Sequence, residues 1–120
     1  MYKKSLEESP EFLAGDETLL REILHPHKDG VTIGYSIAHA KLEVGKSSLP
    51  HRLKGSEVYH ILEGEGVIHI DAQSTPIQKG DTIYVPNKSL QFVENTGKCN
   101  LIFICIVEPA WTPESEFIDS

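Results

Sequence analysis

Cysteine is scarce in this chain: its 120 residues hold only two, Cys99 and Cys105. On a shared strand they would stand about 20 Å apart, since each strand residue advances ~3.3 Å, and a disulfide cannot reach that far. Their spacing also matches none of the close-set pairs that hold structural zinc, so both are read as free thiols suited to a reducing compartment. Basic side chains are in short supply too, with 11 Lys and Arg against 18 Asp and Glu, a formal charge of -7 and no local basic patch. That balance repels phosphate backbones and anionic lipid and excludes nucleic acid as a partner. Long apolar runs are missing: the longest, Leu101 to Val107, has seven residues, where a bilayer span needs about 20. The opening MYKKSLEESPEF lacks the apolar stretch of a signal peptide, so a cytoplasmic location with no membrane contact is expected. No internal repeat, low-complexity tract or linker divides the chain, which is expected to be one domain over residues 1–120.

The hydrophobic pattern divides that domain in three. Over residues 1–30, Ser9-Pro10 could start a helical turn, and Asp16 could cap a short helix carrying Leu19, Leu20, Ile23 and Leu24. From residue 31 to 108, short runs rich in Val, Ile, Tyr and Phe are punctuated by Gly, Pro and Asn, the pattern of an antiparallel sandwich or barrel. Strands are expected near 31–44, 57–63, 66–72, 76–79, 82–85, 89–95 and 99–108. Residues 109–120 are expected to be an irregular tail anchored by Trp111 and Phe117.

The segment Glu63-Gly64-Glu65-Gly66 reads as a hairpin with a two-residue turn. That register sets Ile61 against Ile68, Tyr59 against Ile70 and His60 against His69. One face then carries Glu57, Tyr59, Ile61, Ile68 and Ile70, an apolar interior with a carboxylate at its mouth. The other carries Val58, His60, Leu62, Val67, His69 and Asp71. A carboxylate among apolar neighbours is tolerated only if a cation, a donor or water meets it.

Six histidines invite a metal reading, but most have ordinary explanations. His25 and His27 flank Pro26 and read as a solvated connection; the face of His39 is undecided. Directly opposed, His60 and His69 could share a metal, although packing or a subunit contact is the commoner use of cross-strand histidines, and only Asp71 stands near as a third ligand.

Two ordered blocks carry the sharper signal, GKSSLPHRLKGSEVYHILEG at 45–64 and GDTIYVPNKSLQFVEN at 80–95. Gly45, His51, Glu57 and Gly64 in the first, and Gly80, Pro86 and Asn95 in the second, fall on the motif positions of the cupin superfamily, which the chain resembles over roughly residues 31–108. It departs from the pattern where Leu53 and Gln91 replace two histidines and Lys88 replaces a glycine. The resemblance implies an all-β fold, a double-stranded β-helix or jelly-roll barrel, here with a short N-terminal helix, whose wider mouth is a ligand pocket. It also implies a homodimer sharing strands or outer sheet faces. It implies no particular reaction, because this barrel hosts isomerases, dioxygenases, decarboxylases, epimerases and non-catalytic binders.

Metal-bearing cupins present three histidines and a glutamate to manganese, iron, nickel, zinc or copper. Carried onto this chain, that set leaves His51, Glu57 and the amide oxygen of Gln91 around a loosely held divalent ion such as Mn, Fe, Ni or Zn. A metal-free reading uses the same residues for hydrogen bonding, with Glu57 orienting His51 and Tyr59 and Gln91 meeting a polar ligand. A purely structural reading pairs His51 and Glu57 with backbone groups or with Arg52 and Lys54. The expected ligand is a small, partly apolar molecule, since no Arg or Lys cluster is placed to hold a sugar phosphate.

Overall fold

Alternation decides the architecture. Along the run from Leu101 to Val107, Leu101, Phe103, Cys105 and Val107 are buried while Ile102, Ile104 and Ile106 face outward, so one apolar stretch serves two sides of a sheet. The computed structural model describes residues 1–119; Ser120, the last residue of the expected tail, lies outside the described residues. Its strands are β1 (Phe12–Leu13), β2 (Leu19–Leu24), β3 (Ser36–Leu42), β4 (His51–Leu53), β5 (Ser56–Glu63), β6 (Glu65–Ile70), β7 (Gln73–Gln78), β8 (Thr82–Val85), β9 (Gln91–Asn95), β10 (Leu101–Glu108) and β11 (Glu116–Ile118). They form a six-stranded sheet in the order β1-β2-β3-β10-β5-β8 and a five-stranded sheet in the order β11-β4-β9-β6-β7, all pairs antiparallel. Inward side chains of both sheets, among them Leu42, Ile61, Ile68, Val85, Val93, Leu101 and Phe103, meet in one buried core. The result is the expected jelly-roll barrel. No helix among the described residues is long and apolar enough to cross a membrane.

Three expectations are corrected. The helix over Leu19–Leu24 is strand β2, paired to β3 with Leu20 opposite Ala40 and Arg21 opposite His39. Asp16 does cap, but it caps a tight turn: its Oδ1 accepts from Thr18 N at 3.1 Å and from Thr18 Oγ1 at 2.8 Å. Six residues cannot hold a helix against the open backbone edge of β3, so tertiary pairing outweighs the helical spacing. Among the described residues, helix survives only as 3-10 turns at Leu6–Glu8 and Pro113–Ser115 and the four-residue α1 (Pro26–Asp29).

The expected hairpin of β5 and β6 does not form either, because β5 pairs with β10 and β8 while β6 pairs with β7 and β9 in the other sheet. The glycines serve a crossing between sheets. A Cβ on Gly64 would lie 2.6 Å from the Asn100 carbonyl oxygen, and one on Gly66 would lie 2.2 Å from that of Glu94. His60 and His69 are consequently apart: His60 Nδ1 meets Thr82 Oγ1 at 2.8 Å, whereas His69 meets Glu94 Oε1 at 2.7 Å and stacks on Phe92. The face assignments nevertheless hold, with Glu57, Tyr59, Ile61 and Ile68 buried and His60 exposed. Finally, the expected irregular tail contains β11, which pairs with β4 through Phe117 opposite Arg52 and Ile118 opposite His51.

Candidate functional site

A cavity of about 510 Å³ opens between the sheets at the end where β4, β5 and β10 converge. His51 and Leu53, alternate residues of the short β4, both line it, as do Glu57 and Tyr59 from β5 and Phe103, Cys105 and Val107 from β10. Ala38 and Ala40 of β3 supply a wall of small side chains that leaves the space open. His39, between them, therefore faces outward.

The His51 ring is fixed by backbone rather than by a carboxylate: Nδ1 lies 2.9 Å from the Leu49 carbonyl oxygen. A carbonyl can only accept, so Nδ1 carries a hydrogen, and Nε2 is the ring nitrogen left for other partners. Nε2 lies 3.9 Å from Asp16 Oδ2, beyond hydrogen-bond reach. Glu57 is only 6% exposed, and its Oε1 has no hydrogen-bond partner. Burial pushes its carboxyl up to about 7; nearby Asp16 adds to the shift, while His51, the Cys105 thiol and the Gln91 side chain oppose it.

Gln91 is buried on β9 but is not among the residues that line the cavity. Its Oε1 accepts a 2.5 Å hydrogen bond from the Tyr59 hydroxyl, which leaves the amide hydrogens for the Glu57 side. Gln91 thus backs the site and holds Tyr59 in place. Burial drives the Tyr59 hydroxyl and the Cys105 thiol well above their ordinary pKa values, so both remain neutral.

The flanking segments supply what sequence reasoning missed. From the turn between β1 and β2 come Ala14, Gly15, Asp16 and Thr18, and from the segment before and within β11 come Trp111, Thr112, Pro113, Glu114 and Glu116. Backbone bonds from Leu49 N to Asp16 O, Lys54 N to Ser115 O and Asp119 N to Pro50 O, at 2.8, 2.9 and 2.8 Å, fasten both segments over β4. Glu116 is half-buried and its pKa is raised, first by burial and then by Asp16, against the pull of His51 and Trp111. His25, expected to be solvated, is buried: Nε2 donates to the Trp111 carbonyl at 2.8 Å and Nδ1 accepts from His27 N at 3.1 Å, a structural role that positions Trp111. Of these, the sequence marked in advance Asp16, as a helix cap, and Trp111, as an anchor of the tail.

The donor set does not fit the metal centre that the fold implies. Leu53 offers nothing, the Gln91 oxygen is taken by Tyr59, and among the described residues no three His, Cys, Asp or Glu side chains form a metal-holding group. His51 and Glu57 are what remains of the expected ligands.

A cupin-domain profile matches residues 38–107. The chain belongs to the cupin family. The chain is 36% identical over 105 residues to an uncharacterised protein of Methanocaldococcus jannaschii, covering 86% of this chain and 82% of that protein. It is 37% identical over 71 residues to an oxalate-binding protein of Thermotoga maritima, covering 58% of this chain and 59% of that one. Among solved structures, a predicted oxalate decarboxylase of Thermotoga maritima superposes with TM-score 0.76 at 25% identity over 88% of this cupin and 96% of the other chain. Oxalate decarboxylase from Bacillus subtilis superposes with TM-score 0.84 at 15% identity, over 96% of this chain and 31% of its own, a likeness of fold alone. The profile match includes His51, Glu57, Tyr59 and Gln91 but stops short of Asp16, Trp111 and Glu116.

Proposed function

We propose that this cupin binds a small organic molecule in the barrel-mouth cavity without a resident metal, using His51, Glu57 and Tyr59 as the inner polar surface. One observation carries the reading: two deeply buried polar groups, His51 at 2% and Glu57 at 6% exposure, line a cavity of about 510 Å³ and leave Nε2 and Oε1 without hydrogen-bond partners. Buried polar atoms are normally satisfied, so the unmet Glu57 Oε1 on a cavity wall, with His51 Nε2 free on the same wall, points to a ligand that completes them. Phe12, Leu20, Phe103 and Trp111 make the rest of the wall largely apolar. The test is a thermal-shift screen of small metabolites in EDTA, repeated on Ala38→Phe, which fills the cavity. Compounds that stabilise the wild type and not the variant support the proposal. Stabilisation that survives Ala38→Phe, or none from any compound, overturns it.

A second reading keeps the metal, because His51 Nε2 and Glu57 Oε1 are also the free ends of two former ligands. Stoichiometric Mn, Fe, Ni or Zn in gently purified protein, lost in His51→Ala, would replace the metal-free reading with this one.

The outer face of the six-stranded sheet supports a homodimer. Leu24, Ile37, Ile106, Val58 and Tyr84 are register neighbours across five strands, forming an apolar stripe on which Tyr84 is 62% exposed.

A further inference from the structure

We infer that the cavity selects a small organic ammonium ion, an amine carrying an apolar body, over an anionic acid; this rests on the proposed ligand-binding role of the cavity. The charge on its wall is one-sided. Five acidic residues line it, Asp16, Glu22, Glu57, Glu114 and Glu116, against one lysine, Lys28. That lysine is paired with one of the five, its Nζ lying 2.9 Å from Glu22 Oε1, which leaves the other four acids with no lysine or arginine on the wall.

The acidic groups are not scattered. Asp16, Glu57 and Glu116 line the same cavity as His51, whose Nε2 lies 3.9 Å from Asp16 Oδ2, and Asp16 disfavours ionisation of each of the two glutamates. An acidic cluster on a surface is usually met by water. Here, however, Glu57 is 6% exposed, lines the cavity and has an Oε1 with no hydrogen-bond partner, so this buried oxygen calls for a partner that an occupant of the cavity can bring, and a cation there would favour the ionised form. An ammonium group provides hydrogen-bond donors and the opposite charge together. Aromatic rings from Phe12, Tyr59, Phe103 and Trp111 border the same space and suit both an apolar body and a cation over a ring face. A carboxylate or dicarboxylate ligand would meet this acidic wall with no unpaired lysine or arginine lining the cavity to receive it.

The test is an amide-shift titration of the full chain in EDTA with benzylammonium, benzyl alcohol, benzoate and oxalate. Benzylammonium is expected to perturb residues 14–18, 51–59 and 111–116 and to bind about tenfold or more tightly than benzyl alcohol, with benzoate and oxalate weaker than the alcohol. Asp16→Asn and Glu116→Gln should each weaken benzylammonium about fivefold or more while leaving benzyl alcohol unchanged, which also reports an intact cavity. If alcohol and ammonium bind alike, or if benzoate or oxalate equals the ammonium, the charge selection is overturned and the ligand-binding role stands. If no probe perturbs the cavity residues, both fall.

Discussion

Glu57 is held protonated by burial up to about pH 7, against an ordinary value of 4.5. The folded state therefore binds this proton more tightly than the unfolded chain. The stabilisation is complete below about pH 4.5 and is lost as pH rises through about 7. Its size is on the order of 3 kcal/mol at about 1.4 kcal/mol per pH unit. Glu57→Gln keeps the shape and removes this titration, so in urea unfolding the variant should lose much of the wild-type fall in stability between about pH 5 and 8 and be the more stable at the upper end, with Glu116 left to titrate in both proteins. A wild type whose stability stays flat over that window would refute the buried-acid account. Tyr59→Phe tests the backing pair. The Gln91 oxygen would lose its buried donor, at a cost of about 1–3 kcal/mol measured by the same unfolding experiment. His51 and Glu57 were legible as candidate site residues because the cupin motif marks them, and both line the cavity. Asp16 and Glu116 were not, because nothing local in a turn or an acidic tail encodes which distant strand it will cover.

Strand faces were readable where strand partners were not. Period-two alternation placed Glu57, Tyr59 and Ile61 inside and His60 outside, and the structure agrees. The same pattern is silent about what lies beside a strand, so β5 and β6, adjacent in the chain, were given to each other although Gly64 carries the chain from one sheet to the other. The two uses of Gly-X-Gly differ in the space around the second glycine. In a free hairpin turn an added methyl points to solvent, whereas at Gly66 it meets the Glu94 carbonyl oxygen at 2.2 Å. Gly66→Ala should cost about 3 kcal/mol or more, since backbone must move to admit it. Gly34→Ala, with nothing nearer than a Glu108 side-chain oxygen at 3.8 Å, should change stability by less than about 1 kcal/mol. Equal losses at the two positions would contradict the sheet crossing. Likewise β2 shows that apolar spacing compatible with a helix yields to an unpaired strand edge, here that of β3.

At the scale of the whole molecule, the apolar stripe on the six-stranded sheet and the cavity lie on opposite faces of the same strands. Ile106, 37% exposed at the centre of the stripe, alternates with Cys105 and Val107 on the cavity wall. Ile106→Lys should convert a dimer in light scattering to a monomer with an unchanged circular dichroism spectrum; a wild type that is monomeric at the same concentration would remove the dimer proposal. The segments 12–18 and 111–118 lie outside the profile-matched core and close the cavity from two sides. Because they border the cavity and are clipped to β4 and its flanks by a handful of backbone bonds, an occupant beneath them is expected to leave faster when one clip frays. Residence time would then be governed by the opening rate of these straps rather than by contact strength alone, and by reciprocity a bound molecule should slow proteolytic cleavage within both straps at once.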